Sequence, residues 1–488
     1  MEQVTVSESP ILRPGQTCWR IEQADLAAVI IDAAHYFRIV RDAMQQARHS
    51  ILLIGWDFDT RIELDPEDRE SAVPNTLGSF LKWVVKNNPE LHVHLLKWNL
   101  GALQSLGRGE TPIVLLNWLM SSRVHFRLDN AHPTAAAHHQ KIVVIDDALA
   151  FCGGIDMTAD RWDTRAHADD DPRRRRPTTH RRYKPWHDVT TAATGDAARA
   201  LGDLARDRWE RATGEKLDPP PPVEPPSLKG LEPFARRVPV AISRTMPEYA
   251  GRKAIHEIEA LYLSAIRTVE RVLYIESQYF ASRTLAEAMA ARLSEPDGPE
   301  IVVINPDSAD GWLEEEVMGS SRARLLRLVR QADVHGRFRL YTPVTEGGAD
   351  IYVHAKVLVM DDRLLKVGSS NINNRSMGFD TECDLTIEAA PEDKDLRKRI
   401  VTLRHDLLSE HLGVSIATFE EAVRSANGSL IKAIETLQSD GRSLVSFEPP
   451  ELNMLESEVL AENELLDPER TSRRNKALRF LRWLPWAG

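Results

Sequence analysis

His139, Lys141 and Asp146, in the run HHQKIVVIDD, return as His354, Lys356 and Asp361 in the run VHAKVLVMDD. Both copies read H-x-K-x-x-x-x-D, and the second lies 215 residues beyond the first (354 − 139). A small-residue turn follows each copy at the same distance: Gly153-Gly154-Ile155-Asp156, then Gly368-Ser369-Ser370-Asn371. One such histidine would more often be a satisfied core residue. Chance motif matches rarely recur with matching context, so the repeat points to two similar units that build one site between them.

Four apolar residues follow each lysine, Ile142 to Ile145 and Val357 to Met360, so each motif reads as a buried strand. Side chains alternate faces along a strand, which puts His139 beside Lys141 and His354 beside Lys356. Lysine ammoniums are point charges suited to phosphate oxygens. A neutral imidazole can attack phosphorus, and a protonated one can supply a proton to the leaving oxygen. Paired across a pseudo-two-fold axis, the copies would clamp one phosphodiester. The candidate catalytic set is therefore His139, Lys141, Asp146, His354, Lys356 and Asp361. Within it, the two aspartates sit in Asp-Asp pairs at strand ends and are expected to hold loops rather than touch substrate.

The duplicated motif resembles the signature of the phospholipase D superfamily. Gly153 to Asp156 with Arg161-Trp162-Asp163-Thr164, Trp186-His187-Asp188-Val189, and Tyr274 to Phe280 are similar to segments of its eukaryotic-type branch. The resemblance covers most of residues 15–415 and implies an α/β fold. It is a fold of two similar sandwich halves around a pseudo-two-fold axis, with a single active site at their interface. It also implies acidic residues that orient the histidines, for which Asp188 and Glu382 are the candidates, and a phosphate-contacting amide at Asn371. Which carboxylate serves which histidine is open. Asp156 stands where an asparagine is expected and reads as structural. By the family's division of labour, His139 is the nucleophile and His354 the general acid, although motif symmetry alone permits the reverse.

Strand patterns alternating with helical ones agree with an α/β sheet covered by helices. A helical pattern over 32–48 leads into the strand-like run Ser50 to Trp56, and one over about 252–270 leads into Arg271 to Ile275. The expected organisation is a first half over 1–215, a Pro-rich linker over 216–237, a second half over 238–415 and an extension over 416–488. That extension is acidic from Glu456 to Glu469, and residues 473–486 (RRNKALRFLRWLPW) suit either an interfacial helix or one docked on the core.

The net charge of −11 counts against a general nucleic-acid binder, and the cysteines, three in number, imply no disulfide framework. The start MEQVTVSESPILRPG lacks the apolar core of a signal peptide, and no stretch is apolar and long enough to span a bilayer. The expected location is cytoplasmic or peripheral to a membrane, or outside by a signal-independent route. Arg173 to Arg176 with Arg181, Arg182 and Lys184 form either a solvated loop or a cationic lip for anionic lipid. His92 and His94 alternate on one strand but lack a Cys/His cluster, so no metal site is expected from them or beside the motifs. No cofactor is expected, and activity should survive chelation. The implied function is a phospholipase D acting on a phospholipid at a membrane surface, releasing phosphatidic acid and exchanging alcohols. Its alternatives are a cardiolipin synthase-like phosphatidyltransferase or, behind it, a nuclease. Oligomeric state is not legible.

Overall fold

The computed structural model describes residues 10–68, 70–99, 122–308 and 312–448. The expectations for the acidic stretch and for residues 473–486 lie outside the described residues.

In the first half the strands are β1 (Arg20–Ile31), β2 (Ser50–Gly55), β3 (His92–Trp98), β4 (Val124–Asp129), β5 (Ile142–Ile145), β6 (Leu149–Gly153), β7 (Trp186–His187) and β8 (Val189–Thr194). The second half opens with β9 (Ala235–Met246), β10 (Ile255–His256), β11 (Val272–Glu276), β12 (Phe280–Ala281), β13 (Glu300–Ile304) and β14 (Phe338–Val344). It continues with β15 (Tyr352–Val353), β16 (Val357–Met360), β17 (Leu364–Gly368), β18 (Ile372–Asn373), β19 (Glu382–Glu388) and β20 (Ser443–Ser446).

One 16-stranded sheet runs β20-β14-β13-β11-β16-β17-β19-β9-β1-β8-β6-β5-β2-β3-β4, with β10 added to β9. Its order reads almost the same from either end: β19, β17, β16, β11, β13, β14 on one side of the β9–β1 pair answer β8, β6, β5, β2, β3, β4 on the other. The antiparallel seam runs from Arg20 opposite Ile242 to Ala27 opposite Ala235. The sheet curls so that β17 and β19 also face β6 and β8.

The motif strands β5 and β16 are buried at every residue. Alternate side chains explain why. Ile142 and Val144 enter the central core with Val357 and Val359, while Val143 and Ile145 face the first half's outer helices, Ala33–Met44 and Leu77–Asn87. Leu358 and Met360 likewise face Glu257–Thr268 and Arg283–Leu293. A strand covered on both faces carries an unbroken apolar run, as the sequence shows.

Two differences from the sequence reading matter. β1 and β9, the longest strands, were not anticipated, because RIEQADLAAVII begins with mixed polar residues. The helix expected from about Arg252 begins instead at Glu257, since Ile255 and His256 pair with Met246 and Thr245 of β9. The Pro-rich stretch 215–234 carries no helix or strand. Among the described residues no helix is long and apolar enough to cross a membrane.

Candidate active site

Each motif aspartate caps a turn. Asp146 and Asp361 adopt left-handed backbone, φ 53 and 52. Asp146 accepts hydrogen bonds from the backbone N–H of Arg48, His49 and Ser50 (2.7–2.8 Å). Asp361 does the same with Glu270, Arg271 and Val272 (2.8–2.9 Å). These carboxylates therefore tie the far end of each motif strand to the start of β2 or β11, and their work is architectural.

At the near ends the two copies meet. Backbone pairing crosses between the halves: His139 N–H donates to Thr381 O (2.9 Å) and His354 N–H donates to His187 O (2.8 Å). The residues that follow those carbonyls are Glu382 and Asp188. His139 Nδ1 lies 3.0 and 2.9 Å from the Glu382 carboxylate oxygens, and His354 Nδ1 lies 2.7 Å from Asp188 Oδ2. Each imidazole is thus held by a carboxylate from the opposite half, the pairing that the sequence left open. With the carboxylate ionised, Nδ1 carries the proton and Nε2 presents a lone pair.

Charge at the site is asymmetric. Lys141 donates to His139 O (3.1 Å) and pairs with Asp156 Oδ2 at 3.2 Å. Lys356 donates to His354 O, and burial brings it down to about 7 against the pull of Asp188. Both imidazoles are held well below the usual histidine range, first by burial and then by the lysines. Arg161, stacked 4.2 Å over the Trp186 ring, adds to the effect on His354. Burial raises Glu382 to about 8, against donors Ser369 Oγ and Ser376 Oγ. It raises Asp188 to about 6, opposed by Lys356.

The turns after the motifs show why small residues recur there. A Cβ on Gly154 would fall 2.1 Å from Asp188 Oδ1, so the carboxylate occupies that space. At the matching position Ser369 donates its hydroxyl to Glu382. Asn371 Oδ1 accepts from Gln278 N (3.3 Å), and Asp156 Oδ1 accepts from Trp56 N (3.1 Å) in the matching place. The other oxygen of Asp156 faces Lys141, so this side chain also holds that ammonium in place. Sequence reasoning missed Ser369, Ser376 and the Trp186–Tyr352 stack (4.4 Å between centroids) beside His354. Ser369 and Trp186 fall within the motif runs, but nothing in those runs shows what they touch.

Other expectations resolve plainly. The arginine loop is internally paired: Arg174 with Asp163 (3.0 Å), Arg173 with Asp171 (2.6 Å), Arg176 with Asp160 (2.7 Å), and Arg182 with Asp170. That favours the structural loop over the cationic lip. His92 and His94 stack with His125 rather than converging on a point. Elsewhere, one residue from Asp188, ligand-type atoms of Asp32, His167, His187 and Glu410 lie within 4.8 Å of one another. These four are scattered through the sequence, so no spacing could reveal them.

Two lysines beside two carboxylate-held imidazoles, one pair from each half, make a duplicated site with the charge and donors to receive a phosphate. Residues 43–219 match the family described as Phospholipase D, and residues 262–403 match that described as Cardiolipin synthase, PLD-like domain. The chain belongs to the phospholipase D superfamily. It is 21% identical to Phospholipase D alpha 4 of Arabidopsis thaliana, over 85% of this chain and 68% of that protein. It is 24% identical to Phospholipase D1 of Schizosaccharomyces pombe, over 82% of this chain and 36% of that protein. The chain thus spans about two thirds of the plant relative and about one third of the yeast one. Phosphatidylserine synthase of Haemophilus influenzae Rd KW20 shares the fold at TM-score 0.52 and 14% identity, covering 85% of this chain and 96% of that one.

Proposed function

We propose that the chain is a phospholipase D that hydrolyses a glycerophospholipid to phosphatidic acid and free alcohol through a phosphohistidine. The observation that carries this reading is the crossed pairing, which holds Nδ1 while no hydrogen bond to either Nε2 is seen among the described residues. The Nε2 lone pair of His139 bonds to phosphorus as the bond to the head-group oxygen breaks. That oxygen takes a proton from His354, and a water oxygen then bonds to phosphorus as His354 recovers the proton. The electron pair of the phosphorus–nitrogen bond returns to His139.

His139 suits the nucleophile's part because its side chain is the more open, 15% exposed against 6% for His354. His354 suits the acid's part because its partner, at about 6, is the more readily ionised carboxyl. The phosphodiester's own negative charge, placed between the lysines, supplies what His354 needs to hold a proton. Lys141, Lys356 and the Asn371 amide supply positive charge and donors for the developing negative oxygens.

The intermediate does not distinguish water from alcohol, so phosphatidyl transfer is the second reading. The family description matched by the second half favours keeping it. Purified protein on mixed phospholipid vesicles, with and without ethanol, decides between them by mass spectrometry. Hydrolysis predicts phosphatidic acid in water and phosphatidylethanol on adding ethanol, with configuration at phosphorus retained. Turnover only with a second lipid alcohol would make it a synthase. Cleavage of nucleic acid without turnover of phospholipid would overturn both.

A further inference from the structure

Behind the site lies a second constellation that the proposed chemistry does not use. Asp32 follows β1, His167 lies in the loop after Trp162, His187 ends β7, and Glu410 comes from the helix Lys394–Leu412 of the second half. All four are buried, both imidazoles completely. His187 Nδ1 lies 3.1 Å from Glu410 Oε1 and 3.3 Å from Asp32 Oδ1. His167 Nε2 lies 3.1 Å from the same Glu410 oxygen and 3.6 Å from Asp32 Oδ2. Ligands about 2.0–2.1 Å from a tetrahedral zinc stand about 3.3 Å apart; the contacts to Glu410 are close to that, the two to Asp32 use different oxygens, and one ligand atom from each residue lies within 4.8 Å of the others.

Independent observations agree. Asp32 Oδ2, in a residue 1% exposed, has no hydrogen-bond partner and faces this cluster. The far nitrogen of each imidazole is already held by a carboxylate: His167 Nδ1 by Asp163 (3.0 Å) and His187 Nε2 by Glu276 (3.0 Å). That is the arrangement in which a metal-bound histidine is fixed as one tautomer and made more basic. Glu410's other oxygen is taken by Arg165, and Asp163 also accepts from Arg174. Asp32 (φ 63, ψ 149) and His167 (φ 42) hold backbone conformations that side chains with a Cβ rarely adopt. Two imidazoles disfavour calcium and magnesium, which prefer oxygen ligands.

We infer that Asp32, His167, His187 and Glu410 bind one divalent transition-metal ion of the zinc class, as a structural centre joining the two halves behind the active site. Four carboxylates (Asp32, Asp163, Glu276, Glu410) here face two guanidiniums (Arg165, Arg174) and three imidazoles, His411 being the third and bonded to Glu276. One dication with the imidazoles neutral closes that charge as well as two imidazoliums would. The ion takes no part in phosphoryl transfer. It anchors the strand whose His187 carbonyl accepts from His354 N–H and whose next residue, Asp188, holds that imidazole. Buried, it should resist brief chelation, so the expectation that turnover survives chelator stands beside it.

The test uses the untagged full chain. Elemental analysis after dialysis should find about one transition-metal ion per chain, or the stripped protein should take up about one added Zn²⁺. Stripping with chelator under mild denaturant should lower Tm by several degrees, and Zn²⁺ should restore it. His167→Gln and Glu410→Gln should lose the ion, while His94→Gln retains it. If those variants do not fold, the Tm comparison on the unmodified chain decides. A metal-free protein whose Tm does not respond to Zn²⁺ would overturn the inference in favour of the protonated network. So would an ion that persists in folded His167→Gln.

Discussion

The two copies of the motif are nearly superimposable in backbone role and unlike in charge. In each, an aspartate caps the strand with three backbone N–H groups, a lysine donates to the preceding histidine's carbonyl, and the histidine leans on the other half's carboxylate. The differences lie in single side chains. Where the first copy has Gly154 and Asp156, the second has Ser369 and Asn371. Asp156 gives Lys141 an ionic partner at 3.2 Å, whereas the matching residue in the second copy is the amide Asn371, and burial takes Lys356 down to about 7. The shorter carboxylate, Asp188, fits against a glycine, while Glu382 is steadied by serine hydroxyls. Duplication supplied the frame, and a few substitutions turned equal halves into unequal partners.

The largest effect should come from separating the two histidines. His139→Ala should lower turnover on the order of 10⁵-fold, because the covalent route disappears. His354→Ala should cost roughly 10²–10⁴-fold and leave a phosphatidyl adduct on His139 that acid-quenched mass spectrometry can detect. An adduct on His354 in the His139→Ala protein would reverse the roles.

Next come the carboxylates. Glu382→Gln should lower kcat about 10²–10³-fold by disturbing the His139 tautomer. Glu382 must be ionised to hold Nδ1–H, so it should give kcat/KM an ascending limb governed by its raised value of about 8, and the variant should lack that limb. Lys356, at about 7, loses its charge as pH rises, which gives the opposing limb. Bound phosphate raises that lysine, so the alkaline limb should move up in kcat relative to kcat/KM. Stability runs the other way. With its folded value raised from 4.5 to about 8, ionising Glu382 weakens the fold progressively across that window. Thermal melts should therefore show Glu382→Gln gaining on the parent as pH rises from about 4.5 to 8.

Asp156→Asn makes the first copy resemble the second and should cost about tenfold in kcat/KM, as Lys141 loses its ionic partner. Smallest in activity are Asp146→Ala and Asp361→Ala. Each should lower stability by about 3 kcal/mol, since buried N–H groups lose a charged acceptor. Turnover per folded molecule should barely change. If either abolished turnover in a fully folded protein, the architectural reading of the aspartates would fail.

Much of this was legible in the sequence because the motif strands carry both signals at once, an unbroken apolar run and a fixed polar spacing. His139, Lys141, His354 and Lys356 could be placed from that alone, and the aspartates read as loop anchors from their Asp-Asp context. The crossed pairing of Glu382 and Asp188 could not be read, because partners 243 and 166 residues apart leave no local trace. β1 and β9 were missed for a related reason: the middle of a sheet is defined by pairing rather than by composition. The Asp32 cluster is harder still, assembled from four distant segments with no shared spacing.

The seam between β1 and β9 has a mechanical consequence. A continuous hydrogen-bonded ladder from Arg20–Ile242 to Ala27–Ala235 means that the halves cannot part like jaws without breaking backbone pairing. Access to the site is therefore left to side chains and loops around it rather than to a hinge between the halves. Trp186 and Tyr352, stacked 4.4 Å apart and buried beside His354, are part of that unmoving frame.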